Sequence, residues 1–275
     1  MNHLQITIAV TDPAQQEILI ALLAEVGYEG FEQQDDALQA FLPEAGFDAV
    51  ALEAILRPMV LAYTTLLLPE RNWNEEWEKN FTPVQVGEFC AIRAHFHAPV
   101  PGVAYELVIT PKMSFGTGHH ATTYMMLQAM QHLDFSQKKV LDFGTGTGVL
   151  AILAEKLGAA GVLAIDNDDW SIQNARENIT ENHCINISLL KSATIPENQP
   201  FDVILANINK HVLLREMAGM RQQLKPGGVI LMSGLLNEDF EDIENEAGSQ
   251  NLSVSTRMTR GSWISLRIEK PKTST

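Results

Sequence analysis

The sequence predicts an α/β protein whose main domain is a doubly wound, mostly parallel sheet of seven strands, preceded by a small α+β domain. Three observations support this fold class. Apolar strand segments alternate with helical segments from residue 139 onward, and a glycine-rich turn follows the first of these strands. The chain closes on two strand segments separated only by residues 259–261, which indicates a terminal antiparallel hairpin.

The elements of the main domain follow from the apolar periodicity and the turn residues. Strands are predicted at 139–143, 161–166, 186–190, 201–206, 229–233, 251–258 and 262–268. Helices are predicted at 124–133, 148–157, 169–182, 209–224 and 238–247. Helices placed between consecutive strands serve as the crossovers that parallel pairing requires.

The residues before 124 predict a different organisation. Strands at 3–10, 28–33 and 60–68 and helices at 14–26 and 48–56 make up a small α+β domain over residues 1–68. Residues 69–111 form a tryptophan-rich linker with lead-in strands at 84–86, 89–96 and 105–110, and residues 112–275 form the main domain. Trp73, Trp77 and Phe81 recur at helical spacing, which predicts a helix with one buried aromatic face.

The charge is strongly negative, −15 overall, with 34 acidic residues against 19 Lys and Arg. Residues 1–60 contain ten acidic residues and one basic residue, Arg57. Such a field repels nucleic acids and anionic membranes, so no direct nucleic-acid or membrane binding is expected. The acidic front end is either an ordinary solvated surface or a docking surface for a basic protein. We expect a cytoplasmic protein, because no leader or membrane-length apolar segment is recognisable.

The segment from Val140 to Ala151 predicts a cofactor site, because glycines 144, 146 and 148 let the backbone approach a ligand at the end of a strand. A dinucleotide fingerprint would place its third glycine at position 149, which is Val. Asp142 precedes the turn, where its charge suits a cationic ligand, and Asp166 ends the next strand at the spacing of a ribose-binding carboxylate. These features favour S-adenosylmethionine, with Asp142, Gly144, Gly146 and Asp166 as binding residues.

Asn207 ends the predicted strand at 201–206, at the same edge of the sheet as the glycine turn. It could cap the following helix, or its carbonyl oxygen could accept hydrogen bonds from an amine and orient the nitrogen lone pair. The second interpretation makes Asn207 the catalytic residue. No side chain is recognisable as the proton acceptor.

The segment Ser114 to Thr123 is a second glycine loop, predicted to lie over the cofactor. Phe115, Thr122 and Thr123 are candidate cofactor contacts, although either threonine could instead cap the next helix. His119 and His120 are adjacent and have no clear third ligand, so no metal site is predicted.

These clusters resemble the bacterial ribosomal protein L11 methyltransferases, the PrmA family, over nearly the whole chain. The resemblance rests on the tryptophan-rich segment, the loop FGTGHHATT, the glycine turn DFGTGTG and the strand end ANIN. It implies a Rossmann-like methyltransferase sheet in which Thr123, Gly144, Asp166 and Asn207 contact S-adenosylmethionine. It also implies methylation of lysine ε-amines or an α-amine of ribosomal protein L11, a basic protein recognised by the N-terminal domain.

His119, Ala121 and Asn209 depart from the family pattern, in which Thr, Pro and Leu are usual. Two other functions fit the same residues. The protein could methylate a small molecule or another protein, because this type of sheet serves many substrates. It could also bind S-adenosylmethionine without turning it over. The sequence leaves open the methylated amines, the number of methyl groups, the oligomeric state and the motion between domains.

Overall fold

The computed structural model describes residues 2–68, 82–110 and 115–272. The chain divides into two compact units, residues 1–81 and 82–275. The sequence placed the main domain at 112–275, whereas here the strands of residues 84–108 lie in the same unit as the main sheet. The helix predicted around Trp73, Trp77 and Phe81 lies outside the described residues.

The first unit is a four-stranded antiparallel sheet in the order β2-β3-β1-β4, covered by two helices. Its elements are β1 (His3–Ala9), α1 (Pro13–Glu25), β2 (Gly30–Gln33), β3 (Ala37–Pro43), α2 (Ala49–Leu56) and β4 (Tyr63–Leu68). Asp12 and Asp48 cap the two helices by accepting hydrogen bonds from backbone N–H groups. The core lies between the sheet and both helices.

Strand β3 is absent from the sequence prediction, although it is an interior strand of this sheet. It pairs with β1 from His3↔Pro43 to Ala9↔Ala37 and with β2 on its other side. Leu38, Ala40 and Leu42 alternate with less buried residues and enter the core, which is the period-two pattern of a half-buried strand. The segment therefore carried a strand signal that the sequence analysis missed.

The second unit contains a small sheet, a seven-stranded sheet and five helices among the described residues. The small sheet comprises β5 (Val84–Val86), β6 (Cys90–Arg93) and β7 (Tyr105–Val108). The large sheet comprises β8 (Lys139–Phe143), β9 (Gly161–Asp166), β10 (Ile187–Lys191), β11 (Phe201–Asn207), β12 (Leu224–Leu236), β13 (Ser253–Arg260) and β14 (Trp263–Glu269). The helices are α3 (Ala121–Met130), α4 (Val149–Lys156), α5 (Asp169–Glu181), α6 (Lys210–Gln223) and α7 (Phe240–Ser249).

The large sheet has the order β10-β9-β8-β11-β12-β14-β13. The first five strands of this order are parallel, and β14 runs antiparallel to both of its neighbours. The predicted fold class and terminal hairpin are therefore confirmed. Chain order reverses between β8 and β11, so a crevice opens at their carboxyl ends, between the glycine turn and Asn207. No helix among the described residues has the length and apolarity needed to cross a membrane.

Asn178 in α5 and Asn182, directly after its end, form hydrogen bonds with the backbone of Val108 in β7 and of Thr110, contacts that the sequence analysis did not anticipate. Asn182 accepts a hydrogen bond from the N–H of Val108 at 2.9 Å and donates one to the carbonyl of the same residue at 2.6 Å. Asn178 accepts from the N–H of Thr110 and donates to the carbonyl of Thr147 in the glycine turn. Both side chains are buried. Their hydrogen bonds connect the small sheet to the glycine turn through the end of helix α5.

We predict that Asn182→Ala lowers the free energy of unfolding by about 2 kcal/mol, because the half-buried N–H and carbonyl of Val108 both lose the Asn182 side chain as a partner. Urea denaturation of the two proteins measures the difference. The control is Asn186→Ala, since Asn186 is exposed at the start of β10. Equal stability of both variants and the wild type would show that the Asn182 contacts contribute nothing.

Candidate active site

The glycine turn after β8 requires glycine for two separate reasons. Gly144, Gly146 and Gly148 have φ angles of +75°, +55° and +82°, a region that other residues rarely adopt. A Cβ atom on Gly144 would collide with the side chain of Ile208, and one on Gly146 would collide with the carbonyl oxygen of Phe115. The turn is therefore packed closely on both sides and leaves its backbone accessible along the crevice.

Asp166, the last residue of β9, holds this turn from the adjacent strand. One carboxylate oxygen accepts a hydrogen bond from the N–H of Gly146 at 2.9 Å, and the other accepts from the N–H of Asp168 at 3.1 Å. Each carboxylate oxygen has a second lone pair, so the group retains the capacity to accept from a ligand. Asp166 also lines the cavity described below, as a ribose-binding carboxylate would.

Asp142 lies beneath the turn. One of its oxygens accepts hydrogen bonds from the hydroxyl of Thr145 at 2.6 Å and from the N–H of Ala151 at 3.2 Å. The other oxygen is buried without a hydrogen-bond partner among the described residues. Burial, with a smaller contribution from the nearby charge of Asp166, raises the pKa of Asp142 to about 7.

Asn207 lies at the crevice, at the end of β11, and a hydrogen bond to Thr123 fixes the orientation of its side chain. Its amide nitrogen donates a hydrogen bond to the hydroxyl of Thr123 at 3.1 Å, while its carbonyl oxygen is buried and has no partner among the described residues. Asn209 caps helix α6 by accepting from the N–H of Val212. The interpretation of Asn207 as a helix cap was therefore wrong, and its free oxygen is consistent with ligand binding.

The loop before α3 packs directly on the glycine turn. The N–H of Thr147 donates to the carbonyl of Phe115 at 3.0 Å, and the hydroxyl of Thr147 donates to the carbonyl of Gly116 at 2.9 Å. His120 caps α3, because its Nδ1 accepts from the N–H of Thr122. Neither threonine is the cap residue, and α3 begins three residues before the predicted start at residue 124.

These elements enclose a cavity of about 430 Å³, a size typical of small-molecule sites. Its walls come from the loop before α3, the carboxyl ends of the five parallel strands, helices α5 and α6, and the start of β14. The lining residues are Phe115, His120, Thr122, Phe143, Gly144, Gly146, Asp166, Asn167, Ser171, Ser192, Ala193, Asn207, Ile208, Asn209, Val212, Arg215, Gly234 and Trp263.

Six of the eight predicted site residues line this cavity, namely Phe115, Thr122, Gly144, Gly146, Asp166 and Asn207. The structure does not place Thr123 or Asp142 on its wall: Thr123 supports Asn207, and Asp142 supports the turn. Sequence reasoning missed Trp263, Arg215 and the segment after β10. The described residues contain no group of three or more His, Cys, Asp or Glu side chains that could hold a metal ion.

The residues present fit S-adenosylmethionine. The crevice is bordered by a backbone turn that a Cβ atom would obstruct, by a carboxylate with spare acceptor capacity and by an amide oxygen that lacks a partner. Asp166 would hold the ribose, and the glycine turn would accommodate the methionine portion. The negative charge of Asp166 in the wall favours a ligand with a net positive charge.

The open sheet with an antiparallel terminal hairpin and this cavity is the arrangement of S-adenosylmethionine-dependent methyltransferases, and the protein is an enzyme of that class. A solved structure of the ribosomal protein L11 methylase from Lactobacillus delbrueckii subsp. bulgaricus is similar to this chain, with a TM-score of 0.65 and 29% identity. The similarity covers 70% of this chain and all of that one. The family model for ribosomal protein L11 methyltransferase (PrmA) matches residues 7–271, and the chain belongs to this family.

Relatives of known name are similar in sequence to this chain over most of their length. The ribosomal protein L11 methyltransferase of Porphyromonas gingivalis is 40% identical over 266 residues, which are 93% of this chain and 92% of that protein. The protein of the same name from Chlorobaculum tepidum is 40% identical over 283 residues, which are 98% and 96% of the two chains. The predicted family, fold and cofactor are therefore confirmed.

We predict that wild-type stability falls relative to Asp142→Asn as the pH rises. The native protein keeps the Asp142 proton between the ordinary pKa of 3.8 and about 7, a range in which the unfolded chain releases it. The contribution of this group to stability decreases through that range and is constant above it. Urea denaturation from about pH 5 to about pH 8 should show a relative loss of about 2–3 kcal/mol.

Asp134→Asn is the control for this titration, because Asp134 is 71% exposed and Asn keeps an acceptor for the N–H of Ser136. Its stability should follow that of the wild type at each pH. A difference between the wild type and Asp142→Asn that stays constant with pH would contradict a protonated buried carboxyl.

We also predict that Asp166→Asn weakens binding of S-adenosylhomocysteine by more than tenfold, since the amide cannot accept from two backbone donors and a ligand together. Calorimetric titration measures the affinity. Asp169→Asn is the matched control, because the Asp169 side chain is 78% exposed. An unchanged affinity of Asp166→Asn would remove Asp166 from the cofactor site.

Proposed function

We propose that this protein transfers methyl groups from S-adenosylmethionine to amino groups of ribosomal protein L11, namely lysine ε-amines, the α-amine or both. The observation that carries the chemistry is the buried, unpartnered carbonyl oxygen of Asn207 at the crevice. The names of the full-length relatives support the substrate. When bound, S-adenosylmethionine supplies a methyl group activated by its sulfonium charge.

Asn207 positions the acceptor amine. Its carbonyl oxygen accepts an N–H of the amine, and this contact directs the nitrogen lone pair into the crevice. The hydrogen bond to Thr123 keeps the amide nitrogen turned away from the cavity, so the oxygen rather than the nitrogen faces the amine. Thr123 is buried in the first turn of α3 and is therefore a fixed support.

The amine must be neutral to attack, and the wall provides no obvious base. The ionisable side chains among the lining residues are Asp166, His120 and Arg215. Asp166 ends β9, on the opposite side of β8 from Asn207, and Nδ1 of His120 accepts the N–H of Thr122. The amine therefore loses its proton to water before the transfer.

The N-terminal unit is proposed to recognise the substrate through its charge. All ten acidic side chains of residues 1–60 are exposed, at Asp12, Glu17, Glu25, Glu29, Glu32, Asp35, Asp36, Glu44, Asp48 and Glu53. A surface with this excess of negative charge attracts a basic protein and speeds the encounter with it. Recognition on a separate unit would leave the cavity free to accept amines from different segments of that protein.

The test is intact-mass spectrometry of unmethylated ribosomal protein L11 after incubation with this protein and S-adenosylmethionine. The wild type should add increments of one methyl group. Asn207→Ala should reduce the rate about a hundredfold, because the amine loses its orientation. Asn186→Ala, which changes an exposed asparagine, should retain the wild-type rate.

Two results would contradict this proposal. No added mass with the wild type, while calorimetry shows bound cofactor, would mean that the acceptor is another protein or a small molecule. A wild-type rate in Asn207→Ala would mean that Asn207 does not orient the amine. Calorimetry that shows cofactor binding by the wild type and by Asn207→Ala would exclude misfolding as the cause of either result.

A further inference from the structure

The rings of Phe115, His120 and Trp263 form a cluster on the cavity wall. The proposed roles of the glycine turn and Asn207 give these rings no function. His120 contacts Phe115 and Trp263 edge-to-face, with ring centroids 5.2 Å and 4.7 Å apart and interplanar angles of 61° and 71°. Phe115 and His120 come from the loop before α3, and Trp263 is the first residue of β14. The rings therefore converge from segments that are more than a hundred residues apart in the chain.

The strand order places Trp263 on the side of the cavity away from the ribose. Asp166 ends β9 and Ser192 follows β10, and both lie on one side of β8. Asn207 ends β11, and Trp263 belongs to β14, two strands further in the opposite direction. His120 is on the same side, because Thr123 on the next helical turn bonds to Asn207. The acceptor amine, held by Asn207, thus meets His120 and Trp263.

His120 contributes a ring whose Nδ1 is engaged by Thr122. Its Nδ1 accepts the N–H of Thr122 at 3.3 Å and lies 2.7 Å from the hydroxyl of the same residue. A nitrogen that accepts a backbone N–H carries no proton, so the neutral ring has its proton on Nε2. A proton on Nδ1 would remove the cap of α3. The ring thus behaves as an aromatic surface toward the amine.

An aromatic wall suits an amine that changes during the reaction. Each added methyl group removes an N–H donor, so a site that depended on hydrogen bonds to carboxylates would lose a contact with every transfer. Aromatic rings hold ammonium and methylammonium groups through the electrostatic field of the ring and through apolar contact, neither of which needs an N–H. Asp166 is the only carboxylate among the lining residues, and it lies on the ribose side.

We propose that Phe115, His120 and Trp263 form the acceptor-side wall, and that Trp263 determines how many methyl groups one amine receives. This inference rests on the proposed function and deepens it. Trp263 has the largest ring of the three and packs against His120, so both rings lie on the same part of the wall, on the Asn207 side of the cavity. Removing the ring leaves the first transfer possible and weakens the hold on an amine that already carries methyl groups.

The experiment compares Trp263→Leu with Trp170→Leu in the full-length protein. Trp170 is 78% exposed and is not among the lining residues, so it controls for the same chemical change. Ribosomal protein L11 is methylated to completion by the wild type and for the same time by each variant. Tandem mass spectrometry then counts the methyl groups on each amine, and steady-state kinetics give KM and kcat.

Trp263→Leu should shift products toward monomethylated amines and raise KM for the protein substrate about two- to thirtyfold, the range expected for loss of one cation–π contact. Its affinity for S-adenosylhomocysteine should stay within about twofold of the wild type, because Trp263 lies away from the ribose side. Trp170→Leu should match the wild type in product pattern and KM. Phe115→Leu should give a smaller shift in the same direction, and its 53% exposure keeps it from disturbing the fold.

The other possible results overturn either the inference about the aromatic wall or the proposed function. Wild-type methylation with an unchanged product pattern in both Trp263→Leu and Phe115→Leu would overturn this inference and leave the proposed function standing. Equal losses in Trp263→Leu and Trp170→Leu would also overturn it. No methylation by the wild type would overturn the proposed function, and this inference with it. If Trp263→Leu does not fold, Phe115→Leu alone decides the outcome.

Discussion

The cofactor site depends on a single constraint, the close packing of the glycine turn after β8. The turn is held from four directions: Asp166 accepts from Gly146, the carbonyl of Phe115 accepts from Thr147, Asn178 donates to the carbonyl of Thr147, and Asp142 reaches it through Thr145. Each contact comes from a different element, so the turn connects β9, the loop before α3, helix α5 and its own strand. A side chain at Gly146 would collide with the loop before α3 at the carbonyl of Phe115, and one at Gly144 would collide with Ile208 after β11.

Two carboxylates lie on opposite sides of this turn, and their environments assign them different roles. Asp166 is partly exposed at the crevice and bonded to backbone donors, whereas Asp142 is fully buried with a pKa of about 7. Burial is the main reason that the pKa of Asp142 is raised, and the nearby charge of Asp166 adds a smaller contribution in the same direction. The sequence argument that Asp142 attracts a cationic ligand therefore applies better to Asp166. Asp142 acts mainly as an internal support for the turn and for the start of α4.

The part of the site that the sequence predicted is the part encoded locally. Gly144, Gly146 and Asp166 lie within two consecutive strand ends, and Asn207 ends the next strand of the crevice, so periodicity and turn chemistry were enough to find them. Thr123 was a candidate both from the glycine loop and from the family motif, but its role as a support for Asn207 is a tertiary contact. Trp263 gave no signal, because a tryptophan at the start of an edge-region strand is usually a packing residue and its neighbours in the cavity are distant in sequence. Strand β3 was missed for a different reason, since Gln39 and the surrounding alanines weaken an otherwise alternating pattern.

The difference between locally encoded residues and tertiary contacts also separates the proposed cofactor-binding and acceptor-binding parts of the cavity. In the proposed function, the cofactor would be bound by backbone groups and by Asp166, which the parallel strands hold in place. The acceptor would be bound by side chains from the loop before α3, from β11 with α6, and from β14, which the fold brings together without a local motif. The antiparallel hairpin that ends the sheet is what carries Trp263 to the cavity, because β14 lies beside β12 and its first residue pairs with Leu236. A purely parallel sheet would end without that wall. The topology that marks the class of enzyme thereby also supplies the surface that the acceptor meets.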